Sequence, residues 1–240
     1  MKRAEGRWDM LDDLAALGPF FAVSSHLPGT GPGPPWRPIR ELTEPDGPLA
    51  GRIDAVRAAL AGRAGRPAAQ IEPRVAASVT HLGLAARLIA PAVAAAASGH
   101  PLGMRPGDVW WQNILGGPVP LSVPVPLPSA RASDPPAAQD LLDETITPLT
   151  AQISRLVTVS PRVLWGNVAS AVNAAATQVA ARRPDLSRPA WTMAATLFAS
   201  PQLSRERQPP GPGFRRASCC LIYKTAVGRP QGVCGDCVLR

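Results

Sequence analysis

From Ile71 to Ala97 the chain carries one helical pattern, in which polar Arg74, Ser78 and His81 give way to an almost entirely apolar segment. A helix that is hydrophobic on nearly all sides has to be enclosed, by protein or by lipid. Its most apolar part, Leu82 to Ala97, is 16 residues long, includes Arg87 and Pro91 and is rich in Ala, so it falls short of a membrane span. The expectation is a buried central helix, kinked or split at Pro91, where the ring removes a backbone hydrogen bond.

The remaining segments are short and separated by strong punctuation. The 29 prolines and 21 glycines cluster between periodic apolar stretches, which marks a folded chain and not a disordered one. Apolar spacing predicts helices near Trp8 to Leu17, Leu49 to Gly62, Ala137 to Val159 with Pro148 as a break, and Pro161 to Ala181 with Ser160 as N-cap. A last helix is expected near Trp191 to Phe198. Leu27 to Pro38 reads as a long loop, and Asp108 to Pro128 as a short hairpin or edge strand followed by extended chain. Of the adjacent Trp110 and Trp111, one should enter the core. Hydrophobic residues make up 45% of the chain and aromatics only 5%, so the core has to be built largely from Ala, Leu and Val. The fold class is mainly α with a short β element. A helical domain spans residues 1–205, and a stiff, polar "RERQPPGPGF" stretch leads into a cysteine-rich segment, 206–240, that folds back onto it.

A net charge of +8 would suit an anionic partner. The basic residues are scattered, however, without a run of five and without interleaved aromatics, which argues against nucleic acid. The N-terminus has no signal-type apolar run. These features predict a soluble, cytoplasmic protein, where clustered cysteines point to metal or redox chemistry before disulfides.

All four cysteines lie in the last 22 residues: Cys219, Cys220, Cys234 and Cys237. A Cys-x-x-Cys turn puts two sulfurs on one side of a tight loop, where Gly235 eases the turn. Adjacent residues on a regular strand point to opposite faces, so Cys219 and Cys220 need a bent loop to converge. Three readings are open on the residues alone. A disulfide or redox dithiol lacks the strand-turn-helix setting of a thioredoxin-like motif. A structural zinc site normally draws on two spaced knuckles and fits the neighbouring pair poorly. A 2Fe-2S cluster spreads four thiolates over two irons and relaxes the demand on any one pair.

The tail "FRRASCCLIYKTAVGRPQGVCGDCVLR" resembles the signature of the FhuF-like ferric-siderophore reductases, in which Cys-Cys-x10-Cys-x2-Cys holds a C-terminal 2Fe-2S cluster. Thirteen residues separate the two pairs here. Loop length between ligand pairs is readily varied. "GLAARLIAPAVAAA" and "SPRVLWGNVASAVNAAA" look like the helical body of the same family, though helical segments of this kind are weakly specific. The resemblance implies a helical siderophore-reductase-like domain over 1–205 and a cluster-binding segment over 206–240. It implies Cys219, Cys220, Cys234 and Cys237 as cluster ligands, and cytoplasmic one-electron reduction of Fe(III) in ferric siderophores. Hard oxygen ligands hold Fe(III) far more tightly than Fe(II), so reduction releases the metal.

Such a centre is anionic, and Arg215, Arg216, Lys224 and Arg229 lie in or beside the ligand loop. They either tune its potential and dock a partner or form a solvated surface. Trp165 and Asn167 either line a siderophore groove or serve as a buried ring in a helix interface with a solvated amide. His26, His81 and His100 have no ligand spacing. There is no phosphate loop and no nicotinamide or flavin fingerprint, so electrons are expected from an external donor such as a ferredoxin or reductase protein. Two other readings are a non-catalytic siderophore-binding or redox-sensing iron-sulfur protein, and a structural zinc protein.

Overall fold

The computed structural model describes residues 10–125, 137–206, 208–225 and 234–239. Residues 10–16 form α1, and Met10, Leu11, Leu14 and Leu17 are all buried, as their spacing requires. The start of this helix at Trp8 lies outside the described residues, as do 126–128 at the end of the expected extended stretch.

Helix α2 runs Leu49–Ala64 and ends at Gly65, whose φ of 62° is left-handed and whose N–H reaches the Ala61 and Gly62 carbonyls. The expected stop at Gly62 comes too early, because only the residue beyond the last turn needs positive φ. Helix α3, Pro73–Ala97, passes through Pro91 as one element, so of the expected kink or split the split does not occur. By length and composition the whole helix could cross a membrane, a test that core helices also pass. What assigns it to the core is that 72% of its most apolar window is buried within the fold.

After α3 a helical run follows, made of α4 (Ala137–Asp140), a π-helical turn (Leu141–Ile146) and α5 (Thr147–Leu156). Pro148 does not break it, because it occupies the first turn of α5, where a missing N–H costs little. Helix α6 spans Pro161–Arg182 and α7 spans Ser187–Phe198. The most extensive helix interface joins α3 to α6. Both are dense in buried Ala, such as Ala77, Ala85, Ala169 and Ala176, and small side chains let helix axes approach closely.

A four-stranded sheet of short strands comprises β1 (Ser24–His26), β2 (Arg37–Pro38), β3 (Trp110–Trp111) and β4 (Leu121–Pro124), in the order β1-β4-β3-β2. Strands β3 and β4 make the expected hairpin, with Trp111 opposite Leu121. Trp111 is fully buried and Trp110 only partly, as alternation requires. The end of the expected loop, Arg37–Pro38, is instead an edge strand, where Pro is tolerated. Arg87 of α3 ties the sheet region down. Its Nε donates to the Val119 carbonyl at 2.6 Å, Nη1 to Phe20 O at 2.8 Å and Nη2 to Ala22 O. Burial pushes its pKa down to about 10, so it stays charged at neutral pH.

His81 of α3 is fully buried. Thr150 Oγ1 gives its proton to the Ile146 carbonyl, so His81 Nε2 donates to Thr150 Oγ1 at 2.9 Å. Burial first, then the Arg216 charge, lowers its pKa to about 3. Because the folded value lies below the unfolded one, stability is retained above about pH 6.5 and lost as pH falls towards 3. Urea titrations should show the wild type losing about 2 kcal/mol between pH 7 and pH 5 relative to His81→Asn. Parallel pH profiles for the two proteins would contradict a buried neutral imidazole.

Candidate metal centre

The cysteine tail is laid across α3 and α6 by a chain of buried polar contacts. Arg216 is only 1% exposed. Its Nη2 donates to Asn167 Oδ1 at 2.7 Å and to the Val163 carbonyl at 3.1 Å, both on α6, and its Nε to Ser218 O at 2.5 Å. Asn167 turns its Nδ2 to Ser78 O and Oγ on α3, at 3.0 and 3.2 Å. Ser78 Oγ then donates to the Cys220 carbonyl at 2.8 Å. The Arg216 N–H meets Asp236 O at 3.1 Å, and Arg215 Nη1 meets Cys237 O at 3.2 Å. Both halves of the cysteine pattern are thereby fastened to each other and to the helical body.

The adjacent cysteines converge through backbone strain. Leu221 has φ of 68°, left-handed and unfavourable for a side chain with a Cβ. Its side chain is held against the buried cluster of Leu60, Ala61, Ile71 and Val75, and its N–H donates to Cys219 Sγ at 3.3 Å. This bend lets neighbouring thiols share one side. At the other end Cys237 N donates to Cys234 O at 3.2 Å, and Leu239 N to Cys237 Sγ at 3.4 Å. One thiol of each pair meets the other: Cys220 Sγ is 3.5 Å from Cys234 Sγ.

All four thiols are free. Burial, then the neighbouring thiols, push Cys219 above the ordinary thiol range, although the Leu221 N–H works the other way. Burial, Cys220 and Asp236 push Cys234 up more strongly. Thiols crowded in this way cannot ionise together unless a cation balances them. Among the described residues no three His, Cys, Asp or Glu side chains meet the geometry of a single-ion site.

The other candidate residues separate. Arg216, read as a tuning residue or solvated surface, is a buried organiser. Arg215 is exposed, and Lys224 Nζ is committed to Glu72 Oε1 at 2.6 Å. Arg229 lies outside the described residues. Asn167 is fully buried with both ends of its amide bonded, so it neither faces a groove nor is solvated. Trp165 is partly buried and lines a surface cleft. The stretch leading into the cysteines is more than a linker: Phe214 is buried edge-on against Phe198 at 5.4 Å, and Gly211 N donates to Asn173 Oδ1. Leu221 carries no sequence signal, since nothing about a leucine announces positive φ. Ser78 does carry one, as a polar residue one turn from His81 on an otherwise buried helix.

The chain matches no family model, no curated protein and no solved structure.

Gly166 permits the docking. A Cβ there would overlap Ser218 Oγ and lie 3.1 Å from Arg216 Nη2, while Ser218 Oγ donates to Arg162 O at 2.6 Å. Ala in a helix interior normally gains about 1 kcal/mol over Gly. Gly166→Ala should nevertheless lose about 1–3 kcal/mol in urea denaturation and expose the tail to proteolysis. A gain in stability would contradict the close approach.

Proposed function

We propose that this chain is a cytoplasmic iron-sulfur protein of FhuF-like type. In this reading Cys219, Cys220, Cys234 and Cys237 hold a 2Fe-2S cluster, and its function is the one-electron reduction of Fe(III) in ferric siderophores. The observation that carries the reading is the gathering of four free thiols on one docked tail, with Cys220 Sγ 3.5 Å from Cys234 Sγ across the two pairs. Among the described residues Arg216 has no carboxylate within ion-pair distance, and its Nη1 has no hydrogen-bond partner. Burying an uncompensated charge costs several kcal/mol. Four free thiols held by one docked tail are the donor set that such a cluster takes, and so the residues fit the group.

When bound, such a centre supplies single electrons, and Fe(III) held by hard oxygen ligands is released once it accepts one. The rest of the chain holds and orients. The Leu221 and Leu239 N–H groups direct positive dipoles at Cys219 and Cys237, which favours thiolate. The Arg216–Asn167–Ser78 chain fixes the Cys220 backbone to two core helices, and a rigidly held ligand set needs little rearrangement when its charge changes. Cys220 and Cys237 are buried, whereas Cys219 and Cys234 are partly open, leaving one approach for a substrate and for a protein donor.

Protein reduced by one equivalent of dithionite under anaerobic conditions should be reoxidised by a ferric siderophore, with Fe(II) appearing in step as a ferrous chelator complex. Cys220→Ser should lower that yield at least about tenfold by loosening the centre. A reduced protein that stays reduced in the presence of a range of ferric siderophores would favour a sensor or binding role.

A further inference from the structure

A cleft of about 360 Å³ opens beside the cysteine tail, between the start of α6 and the turn after α7. Its walls include Arg162 and Trp165 from one side, Arg205 and Glu206 from another, and Ala217 and Ser218 of the tail. Its volume falls in the range of small-molecule sites. Ser218 precedes Cys219 directly, so about 3.8 Å of backbone separates the cleft wall from the first cysteine. The wall is fixed, because Ser218 Oγ bonds Arg162 O, Arg216 Nε holds Ser218 O, and Ala217 N donates to Glu206 Oε2 at 2.9 Å.

We infer that this cleft binds one aryl arm of an anionic ferric chelate of catecholate type, with Trp165 packing on the ring and Arg162 and Arg205 meeting the negative oxygens. The inference rests on the ferric-chelate reading above and narrows its substrate class. Neither arginine is in an ion pair among the described residues, and both are exposed. Glu206 is the single carboxylate among these walls, and its Oε2 already accepts a backbone N–H. The cleft is therefore net positive and presents an aromatic face. A neutral tris-hydroxamate complex has no negative charge for the guanidinium groups and no ring for the indole; a tris-catecholate complex has both.

The test uses gallium(III), which has the charge and size of Fe(III) and accepts no electron under these conditions, so binding is read apart from turnover. The full-length protein is titrated by calorimetry with a tripodal tris-catecholamide complex of gallium(III), and separately with a neutral gallium tris-hydroxamate. The catecholamide complex should bind at least about tenfold more tightly than the hydroxamate. Arg162→Gln and Arg205→Gln should each weaken it about tenfold, and high salt should weaken it further. Trp165→Ala should weaken it too, while circular dichroism of the exposed arginine variants stays that of the wild type. Equal affinity for the two complexes, or unchanged affinity in both arginine variants, would overturn the inference. Gallium binding by a protein that fails to reduce the matching ferric complex would sink the reductase reading and leave the cleft. Reduction that proceeds equally in the arginine variants would do the reverse.

Discussion

A guanidinium sealed inside the protein without a carboxylate among its described neighbours is the constraint on which the C-terminal architecture depends. Burial obliges Arg216 to find acceptors, and Nη2 and Nε find two α6 groups, Asn167 Oδ1 and Val163 O, and the tail's own Ser218 O. Asn167, once oriented by Arg216, has its amide nitrogen free to reach Ser78, and Ser78 then takes the Cys220 carbonyl. The backbone of Arg216 holds the Asp236 carbonyl within the Cys-x-x-Cys turn. Two core helices and both cysteine pairs are therefore registered through Arg216, its backbone and its side chain, together with Asn167 and Ser78. The same charge helps keep His81 neutral beneath it.

Much of this fold was legible because it follows from period and punctuation. The all-round apolar pattern of 71–97 called for a surrounded helix, and the Gly-Gly turn between Trp111 and Leu121 called for a hairpin or an edge strand, of which the hairpin is found. Readings failed where tertiary contacts decide. Pro91 was expected to kink or split α3, and no split occurs, since a helix enclosed by neighbours tolerates the lost bond. Arg216 reads as surface in a basic "FRRAS" run, and only the fold separates it from exposed Arg215. Asn167 looks like a polar residue for ligand or solvent, but its partners lie 89 positions upstream at Ser78 and 49 downstream at Arg216. At the centre itself, the four cysteines were visible at once. The left-handed Leu221 that brings an adjacent pair together was not, since its stability comes from packing against Leu60 and Ile71.

On the proposed reading the division of labour is simple. No proton donor or nucleophile is needed, so the chain invests in holding a ligand set still and in shaping an approach to it. The helices supply rigidity, the buried polar chain supplies register, and the cleft beside Ser218 supplies proximity. Tyr223, Val238 and Leu239 of the same tail are exposed.

The central claim is that the four cysteines together hold a two-iron cluster, and metal analysis of anaerobically purified full-length protein addresses it most directly. The account predicts a brown protein with about two irons and about two acid-labile sulfides per chain, bleached by reductant. A colourless protein with about one zinc per chain and no sulfide, or a chain that takes up neither iron nor sulfide on reconstitution, would contradict it.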